Sequence, residues 1–451
     1  MGCLQRLVFI VSTVICAHLR YDNYRLYKFK SQNYFLEAVK REFEEDGHRL
    51  NSDGERMPLI DILKESDDYC LAIVSPEISG EFEDLAKRFD VADIKVVDTD
   101  IQRKITMERN EIIRNRRSQR RRRRNIKEND YFINFNDFHK YAKIVSFLQG
   151  LSVRFPEKVE LLNISKTFEG RDLVGVKLST PSSSTKPKPS IFIDAGIHAR
   201  EWIAPAVALH LINTLVSDNE KTKWLTEEFD WYIVPVANPD GYEYSIQKDR
   251  LWRKTRSRNS EVNKWCIGAD ANRNWGYRWG EAGANRSPCS NIYAGSKPFS
   301  EPEVVGMKEF IDKNVNNLKV YASLHSYGQV FLSPWGYTSQ KPENYKDQAA
   351  AAMYAIEEIK KTTGTNYTFG SIAEVMYPAS GTSIDYMQDK GVPFIYGIEL
   401  RPEDIDQSNG FSVDPKIIEP TGQEMVAAFT KIAQYVKGKL PRPVRLRYRR
   451  Q

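Results

Sequence analysis

The stretch Ile191–Trp202 reads IFIDAGIHAREW and is the most informative part of the sequence. It begins with the apolar residues of a buried strand and turns at Gly196. It then places His198 and Glu201 three residues apart, ahead of an apolar helical run that starts at Ile203. An imidazole and a carboxylate at this spacing, on a loop that follows a strand, can converge on one metal ion. Surface residues also fall at this spacing by chance, so the pattern needs support from the rest of the chain.

Length and charge give the first bounds on function. The chain has 451 residues with 41% hydrophobic content, which leaves room for a catalytic domain and a smaller unit. The net charge of +6 is concentrated in the run Arg120–Arg124 and in a tail, Arg442–Arg450, that carries five arginines. Neither run is interleaved with aromatic residues or a helix-turn-helix pattern, so no nucleic-acid partner is expected. We interpret the two runs as a protease-sensitive connector and a solvated tail.

The N-terminus has the pattern of a secretory signal. Arg6 precedes the apolar run Leu7–Ala17, which is shorter than a bilayer-spanning helix. Residues 1–17 are therefore predicted to be a signal peptide, and the protein is expected to be secreted to the extracellular space without a membrane segment. A membrane anchor or a buried helix is the alternative interpretation of this run.

The cysteines agree with export. Cys266 and Cys289 lie in one polar region rich in Gly and Asn, where a disulfide would close a long loop and constrain the unfolded chain. We predict that these two residues are bridged. Cys70 lies in the apolar run DYCLAIV and is expected to behave as a small buried hydrophobe.

The part of the chain that follows the predicted signal peptide has the pattern of a removable module. Residues 18–104 alternate strand-like and helix-like pieces, which indicates a small α+β domain. Residues 105–124 form a basic connecting segment, with a charged helix over Ile105–Arg117 that the arginine run ends. A basic string between two globular units is a ready cleavage site for a trypsin-like or dibasic-specific protease. The organisation is that of a zymogen.

A larger α/β domain follows over residues 125–440, and residues 441–451 form the basic tail. Apolar strands separated by helices indicate a mostly buried sheet that helices cover on both faces. Sites in such sheets gather beyond the carboxyl ends of strands, where His198, His325 and Glu399 are expected. We predict strands over Val159–Ile164, Leu173–Leu178, Ile191–Ala195, Trp231–Val236, Val320–Leu324 and Phe394–Ile398, and helices over Phe138–Phe155, Ile203–Val216, Pro302–Asn314, Lys346–Thr363, Ser383–Lys390 and Thr421–Leu440.

Six short motifs occur in the order found in one known family. They are GIHAREW, LWRKTRS (Leu251–Ser257), DANRNW (Asp270–Trp275), SLHSYG (Ser323–Gly328), YPASGTSIDY (Tyr377–Tyr386) and IELR (Ile398–Arg401). From about Tyr24 to Leu440 the sequence resembles a pancreatic-type, digestive zinc procarboxypeptidase of the A class. The resemblance implies the zinc carboxypeptidase fold, an α/β architecture with a mixed, mostly parallel sheet covered by helices on both faces. It also implies a small ferredoxin-like N-terminal propeptide domain that covers the active-site cleft until it is cut away.

The resemblance implies one Zn²⁺ ion held by His198, Glu201 and His325, with a position left for water. This His₂Glu set is the established one of carboxypeptidase A, so it is carried over to the matching residues. Asp270 is expected to orient His198 by accepting its other N–H group, although an aspartate here can also merely cap a turn.

The resemblance also assigns the catalytic and carboxylate-binding groups. Glu399 is expected to act as general base toward the zinc-bound water and then to protonate the leaving amine. Arg253 is expected to stabilise the developing oxyanion. The substrate-binding set is expected to read the free C-terminal carboxylate and line the outer subsites, and it comprises Arg273, Asn272, Tyr377, Arg200, Tyr327 and Arg250.

The pocket for the last side chain is predicted to be apolar. Ile384 occupies the position where B-type relatives carry a pocket-floor aspartate, and the other pocket positions (Leu332, Gly336, Ile372, Ala379 and Gly397) offer no charge. An apolar floor leaves a lysine or arginine head group unpaired, so aliphatic and aromatic C-terminal residues are expected to be preferred.

The expected partners are peptide and protein substrates with a free C-terminal carboxylate and an activating protease, with the enzyme itself a monomer. Two features depart from the family pattern: the arginine-rich connector with its basic tail, and the long segment PEDIDQSNGF after Arg401. The main alternative is a non-catalytic secreted homologue that binds peptides or polyanions. It is disfavoured because every expected ligand, base and carboxylate anchor is present.

Overall fold

A computed structural model describes residues 18–45, 48–51, 54–65, 69–123, 133–181, 187–217, 219–258, 265–403 and 410–438. The predicted signal peptide, the segment 124–132, the loop 404–409 and the basic tail lie outside these ranges. The side chains of residues 119–123 are also outside the described part of the chain, and most of the predicted cleavage site lies there with them.

The N-terminal module is a small antiparallel sheet with helices packed on it. The order β4-β5-β1-β6 in its four-stranded sheet is the ferredoxin-like topology expected from the sequence. Its core is a cluster of aromatic and aliphatic residues centred on Phe29, Phe35 and Phe82, and Cys70 is buried within it. The elements are β1 (Arg25–Lys30), α1 (Asn33–Val39, followed by a π-helical turn over Lys40–Glu45), β2 (His48–Leu50), β3 (Arg56–Pro58), β4 (Ile60–Glu65), β5 (Tyr69–Val74), α2 (Ser79–Arg88) and β6 (Lys95–Asp98).

The connecting segment is one long helix, α3 (Ile101–Arg123). The prediction that the arginine run ends the helix is wrong, because the helix continues through it. Arginine has a high intrinsic helix propensity, so a run of arginines extends a helix that is already nucleated.

The catalytic domain is built on an eight-stranded mixed sheet in the order β13-β12-β14-β11-β9-β10-β8-β7. The central pairs β14–β11, β11–β9 and β9–β10 are parallel, while the edge strands β7 and β8 pair antiparallel. The strands are β7 (Val159–Lys166), β8 (Asp172–Leu178), β9 (Ser190–Ala195), β10 (Asp230–Val234), β11 (Leu318–Gly328), β12 (Val330–Ser333), β13 (Thr368–Ser371) and β14 (Phe394–Glu403).

Burial along the strands follows their position in the sheet. All six residues of the central strand β9 are buried, whereas only two of the eight residues of the edge strand β7 are buried. In β9, Ile191 and Ile193 join the core on one face, and Phe192 joins the core on the other face. A strand that is apolar on both sides must be covered on both faces, as the sequence predicts.

Helices cover both faces of this sheet. Residues of α4, α5, α9 and α12 contribute to the core on one face, and residues of α8 and α11 contribute to the core on the other. The helices are α4 (Tyr141–Arg154), α5 (Ile203–Val216), α6 (Lys223–Glu228), α7 (Pro239–Gln247), α8 (Pro302–Asn314), α9 (Tyr345–Thr363), α10 (Ile372–Val375), α11 (Ser383–Asp389) and α12 (Ile418–Val436).

Two central strands are longer than predicted. β11 runs on to Gly328 and β14 to Glu403, so His325 and Glu399 lie inside strands rather than beyond their ends. The sequence analysis missed the short strand β12. This strand pairs antiparallel with β14 at Val330 and Glu399 and provides β14 with hydrogen-bond partners there.

Two further features concern the predicted environment of the chain. Cys266 and Cys289 form a disulfide in the structure, across the polar region where the pair was predicted. Among the helices in the described ranges, none combines the length and apolar composition that crossing a membrane requires.

Candidate active site

The predicted metal ligands converge where the segment that follows β9 brings His198 and Glu201 next to His325 of β11. One ligand atom from each of His198, Glu201 and His325 lies within 4.8 Å of the others, and all three residues are buried. The Nδ1 atom of His198 is 2.8 Å from one carboxylate oxygen of Glu201, and the Nδ1 atom of His325 is 3.1 Å from the other. The turn at Gly196 brings His198 here with φ +64°, and a Cβ atom at this position would lie 2.8 Å from Pro205. Glycine is therefore required.

Asp270 contacts His198 through the ring nitrogen that does not face Glu201. Its Oδ1 atom is 3.1 Å from His198 Nε2, and it also accepts the backbone N–H of Asn272 at 2.8 Å. Both sequence interpretations of Asp270 thus apply, because it faces the histidine and also caps the following turn. An Nε2–H···carboxylate hydrogen bond leaves the Nδ1 lone pair of His198 directed at Glu201.

His325 is held by a pair of residues to which the sequence analysis gave no role. Its Nε2 atom lies 3.1 Å from the Oγ of Ser323, and that hydroxyl donates to Asp194 at 2.7 Å. Tyr321 donates a second hydrogen bond to Asp194 at 2.5 Å. Because the Ser323 proton points to Asp194, Ser323 Oγ accepts the Nε2–H of His325. In the neutral imidazole, which is the form that binds a metal, this network leaves the lone pair on Nδ1.

One signal in the sequence could have found this pair. Asp194 is a carboxylate inside an otherwise apolar strand, which is the reasoning that singled out Glu399. Ser323 precedes His325 by two residues, and the two side chains of a strand at that spacing share a face.

The charges of the cluster are strongly coupled. Burial alone would raise the pKa of Glu201, but the facing rings of His198 and His325 outweigh it and lower that pKa. Burial alone would lower the pKa of His325, but the charge of Glu201 raises it to about 9. Burial likewise works against the charge of Asp270, yet Arg253, His198 and Arg273 hold its pKa well below the usual range. The carboxylates are therefore charged at neutral pH.

The donor set fits a zinc ion. The Nδ1 atoms of His198 and His325 lie 3.2 Å apart beside the Glu201 carboxylate, so three Lewis-basic atoms face one point. Two imidazoles and a carboxylate are a three-ligand set typical of catalytic zinc, and each imidazole has the hydrogen-bonded outer partner that metal ligands require.

Glu399 and Arg253 lie beside this cluster. Both line one cavity with His198 and Glu201, and Glu399 is paired in the strand register with His325. The guanidinium of Arg253 donates to Asp270 at 2.8 and 3.0 Å through two nitrogens. Asp270 therefore fixes both the arginine and the histidine on the two sides of its carboxylate.

A pocket opens next to the metal ligands. Its apolar lining includes Ile384, which is almost completely buried, and a Cβ atom added to Gly397 would lie 3.8 Å from the Cγ1 of Ile384. Gly336 instead lies behind the lining, where its N–H donates to Asp385. The sequence analysis missed Met376 as a lining residue. Besides the metal-site residues His198, His325, Arg253 and Glu399, the described lining side chains are Leu332, Ile372, Met376, Ala379, Ile384, Asn272, Arg273, Tyr377 and Thr382.

Polar groups stand at one side of this pocket. The Nε of Arg273 donates to the carbonyl of Gly283 at 2.7 Å and its Nη1 to the carbonyl of Asn272 at 2.9 Å, which fixes the plane of the guanidinium. The side-chain oxygen of Asn272 accepts the N–H of Ser383 at 3.0 Å, so its amide nitrogen is directed the other way. Tyr377 lines the same pocket.

The remaining predicted substrate-binding residues lie farther out. Arg200 and Tyr327 line the cavity above the metal ligands, as expected for outer subsites. Arg250 does not line it. Its guanidinium stacks 3.7 Å from the ring centre of Trp202 and binds Glu108 of α3, so Arg250 lies one layer behind the position that the sequence suggested.

Comparison with known proteins agrees with this geometry. Residues 144–428 match the profile of the zinc carboxypeptidase family. The chain is 35% identical to zinc carboxypeptidase A 1 of Drosophila melanogaster over 94% of this chain and 95% of that protein. It is 39% identical to carboxypeptidase B of Astacus astacus over 68% of this chain and 99% of that protein.

A solved structure gives the same result. The crystal structure of the carboxypeptidase A from Helicoverpa armigera superimposes with a TM-score of 0.81 at 26% identity, over 93% of this chain and 99% of that one. The relatives carry both A-type and B-type names, so their names do not settle the preference of the pocket. The family itself is shown by the extent of the matches, and with the zinc-binding residues in place this chain belongs to the zinc carboxypeptidases, a family of metallocarboxypeptidase hydrolases.

Proposed function

We propose that the chain is the secreted zymogen of a carboxypeptidase that prefers aliphatic and aromatic C-terminal residues. One observation carries the proposal: a pocket with an apolar wall formed by Leu332, Ile372, Met376, Ala379 and Ile384 has a fixed guanidinium, Arg273, at its side and opens beside the metal ligands. A side chain can enter the pocket while its α-carboxylate meets the guanidinium. This is the arrangement that an exopeptidase needs.

The catalytic step follows from the placement of the groups. His198, Glu201 and His325 would hold a Zn²⁺ ion, which would supply a Lewis acid able to polarise the scissile carbonyl and to make a water molecule more acidic. Glu399 stands beside these ligands in the cavity, accepts a proton from the attacking water at a carboxylate oxygen, and returns it to the leaving amine. Arg253 presents a fixed positive charge to the oxygen of the scissile carbonyl, where negative charge develops.

Recognition of the substrate carboxylate falls to Arg273, Asn272 and Tyr377. The backbone carbonyls that fix Arg273 leave its second terminal nitrogen directed away from them, and Asn272 adds a neutral donor. Tyr377 lines both the pocket and the cavity outside it, so its ring can close over a bound residue. Arg200 and Tyr327 would contact residues farther upstream in the peptide.

The preference for apolar side chains rests on Ile384. Within this pocket's lining no carboxylate other than Glu399 is present, so a lysine or arginine head group would be buried without a partner. Gly397 leaves room between Leu332 and Ile384, since a Cβ atom there would only reach ordinary contact distance. That room favours aromatic residues.

The zymogen proposal is supported by the contacts of the N-terminal module, residues 18–104, with the cleft. Leu63 and Lys64 of β4 line the cavity that contains His198 and Glu399. Asp61 of the same strand pairs with Arg200, and it also accepts a hydrogen bond from Asn291 at 2.7 Å. While the module stays in place, Arg200 is neutralised and the cavity is roofed by module side chains.

The connecting segment adds a second contact. Glu108 of α3 binds Arg250 through two hydrogen bonds of 2.6 and 2.9 Å, and both side chains are buried. Cleavage in the arginine run at the end of residues 105–124 would separate α3 from the catalytic domain in sequence. A trypsin-like or dibasic-specific protease suits that run. The pattern of residues 1–17 and the disulfide support secretion, and a monomer is proposed.

The test is release of C-terminal residues from matched peptides ending in Phe, Leu, Lys or Glu. Release is measured before and after limited trypsin treatment, with and without a zinc chelator. We expect chelator-sensitive release of Phe and Leu that appears only after cleavage. Release of Lys instead would overturn the pocket assignment, equal release before cleavage would overturn the zymogen, and no release from any peptide would favour a non-catalytic peptide-binding protein.

A further inference from the structure

Arg256 lies three residues after Arg253, and its guanidinium packs against two aromatic rings. Its guanidinium carbon is 3.5 Å from the ring centre of Tyr244 and 4.5 Å from that of Trp252. The two rings meet edge to face at 5.0 Å, and Arg256 is 4% exposed. A planar guanidinium fixed in this way is oriented in advance for a carboxylate.

In the full-length chain that carboxylate belongs to the N-terminal module. Both oxygens of Glu55 lie near one terminal nitrogen of Arg256, at 2.7 and 2.8 Å, and Arg258 adds a contact of 3.0 Å. Tyr244 donates to the same carboxylate at 3.3 Å. Glu55 is therefore a module residue inserted into a site that the catalytic domain builds.

The site has donors that Glu55 does not use. The Nε and Nη1 atoms of Arg256 are buried and have no hydrogen-bond partner within the described part of the chain. A guanidinium buried with open donors is costly unless a ligand satisfies them. This second observation points to a ligand larger or better placed than the Glu55 side chain.

The surrounding charges also favour an anion. Among the described residues, the carboxylates other than Glu55 that line this cavity are Glu169 and Glu243. Glu169 is paired with Arg171, and Glu243 accepts hydrogen bonds from Gln247 and from the backbone of Tyr141. Removal of Glu55 would thus leave the charge of Arg256 and Arg258 uncompensated.

We propose that Arg256, with Tyr244, Trp252 and Arg258, forms a carboxylate-binding site on the catalytic domain that receives an acidic side chain of a peptide once the module has left. The inference rests on the proposed removal of the module. The site is separate from the pocket that takes the terminal residue, because Arg256 lines neither that pocket nor the cavity over the metal ligands. It would give the activated enzyme an added affinity for acidic peptides and proteins.

The experiment uses the full chain before and after activation with trypsin, with the module removed by chromatography. The probe is a fluorescent peptide of glutamates spaced by Gly-Ser, acetylated at its N-terminus and amidated at its C-terminus so that it cannot occupy the carboxylate pocket. A matched probe carries Gln in place of Glu. Binding is followed by fluorescence polarisation, with competition by free glutamate and citrate.

We expect the Glu probe to bind the activated enzyme and not the uncleaved chain, and the Gln probe to bind neither. Arg256→Gln should weaken binding about tenfold or more, because charged hydrogen bonds are lost. The matched control Arg154→Gln removes an exposed arginine at the end of α4 and should leave binding unchanged. Release of Phe from a short peptide should be the same in all three enzymes.

Arg256→Lys provides a second test in case the Gln variant fails to fold. Lysine keeps the positive charge but lacks the planar guanidinium that stacks on the aromatic rings. It should bind the probe more weakly than the unsubstituted enzyme. Equal binding by the unsubstituted enzyme and the Arg256 variants would overturn the site. An activated chain that releases Phe but ignores the probe refutes this inference alone, whereas one that binds the probe without hydrolysis refutes the proposed function.

Discussion

The Oγ atom of Ser323 lies 3.1 Å from the Nε2 atom of His325, so a metal-binding imidazole is held by a hydroxyl two residues before it on the same strand. The hydroxyl in turn donates to the buried carboxylate of Asp194. His198 has its own carboxylate, Asp270, at the same distance from its Nε2 atom. The two zinc-binding histidines are thus oriented by different means, one directly by a carboxylate and one through a serine.

Ser323→Ala is expected to weaken zinc binding. Without the hydroxyl, the Nε2–H of His325 loses its acceptor and the ring is less well oriented, which typically lowers metal affinity about 10- to 100-fold. The measurement is competition with a chromophoric chelator, together with unfolding of the chelated protein to separate stability from affinity. Ser333→Ala is the matched control, since Ser333 is a buried serine on β12 with contacts only at 3.4 Å. Equal zinc affinities in the two variants would contradict the role of Ser323.

Glu399→Gln is expected to abolish most hydrolysis while leaving zinc bound. The amide keeps the shape of the side chain but cannot accept the proton of the attacking water, and loss of a positioned base costs about 10²- to 10⁴-fold in rate. The check is kcat/KM on a peptide ending in Phe, with zinc content measured on the same sample. Glu374→Gln serves as control, because Glu374 is exposed and paired with Lys341. Intact hydrolysis by the Glu399 variant would refute the mechanism.

Ile384→Asp is expected to change the preferred terminal residue. A carboxylate at the floor of the pocket would offer a partner to a lysine head group and would lose solvation next to an aromatic ring. Release of Lys should rise and release of Phe should fall, each measured as kcat/KM on matched peptides. The control Ile417→Asp introduces the same charge at a half-buried isoleucine outside the pocket. It should change neither of the two kcat/KM values. An unchanged Phe-to-Lys ratio in the pocket variant would show that the pocket lies elsewhere.

Most of the site could be predicted from the sequence, because its residues occur in contiguous motifs. GIHAREW and SLHSYG carry the three zinc ligands, and the strand and helix around His198 follow from periodicity alone. Ser323 begins the motif SLHSYG, and Asp194 lies two residues before GIHAREW. A role for this pair depends on β9 and β11 being neighbours, and that pairing is not encoded in either motif.

The parts that the sequence left out are long-range or irregular. The pairing of Glu55 with Arg256 joins residues 201 positions apart, and no local pattern predicts it. β12 escaped notice because four residues with no alternation give no period to detect. Arg250 was placed too near the substrate, since its position depends on Glu108 of the connecting helix α3, which is distant in sequence.

Asp61→Asn is expected to raise the activity of the uncleaved chain. The substitution removes the charge that neutralises the buried Arg200, and loss of one partner of a buried ion pair costs about 3 kcal/mol. The module should then leave the cleft more often without cleavage. The measurement is the ratio of hydrolysis before and after trypsin treatment. Glu83→Gln, which alters a carboxylate bound only to Arg25 and Tyr27 within the module, should keep the original ratio. If the Asp61 variant shows the same ratio of hydrolysis before and after trypsin as the unsubstituted chain, Asp61 does not hold the module on the cleft.

Glu303→Gln is expected to stabilise the chain at pH 8 and to have little effect at pH 5. Glu303 lies in the first turn of α8, where one oxygen accepts the N–H of Phe168 at 3.1 Å. Its other oxygen is buried and has no hydrogen-bond partner in the described ranges. Burial, helped by the charges of Glu301 and Asp240, raises the pKa of Glu303 to about 7.

The sign of the effect follows from this raised pKa. The folded chain holds the Glu303 proton more tightly than the unfolded chain, so the favourable contribution is complete below the ordinary glutamate pKa. It is lost as the pH rises toward and through about 7. The loss amounts to as much as about 3 kcal/mol at pH 8. Glutamine keeps the acceptor for Phe168 and cannot ionise, so the variant should escape that loss. Thermal unfolding midpoints at pH 5 and pH 8 measure the difference. The control is Glu309→Gln, because Glu309 is exposed on the same helix and paired with Lys313. This control should keep the pH dependence of the unsubstituted chain. If the Glu303 variant also keeps that pH dependence, Glu303 is ionised in the folded protein throughout this range.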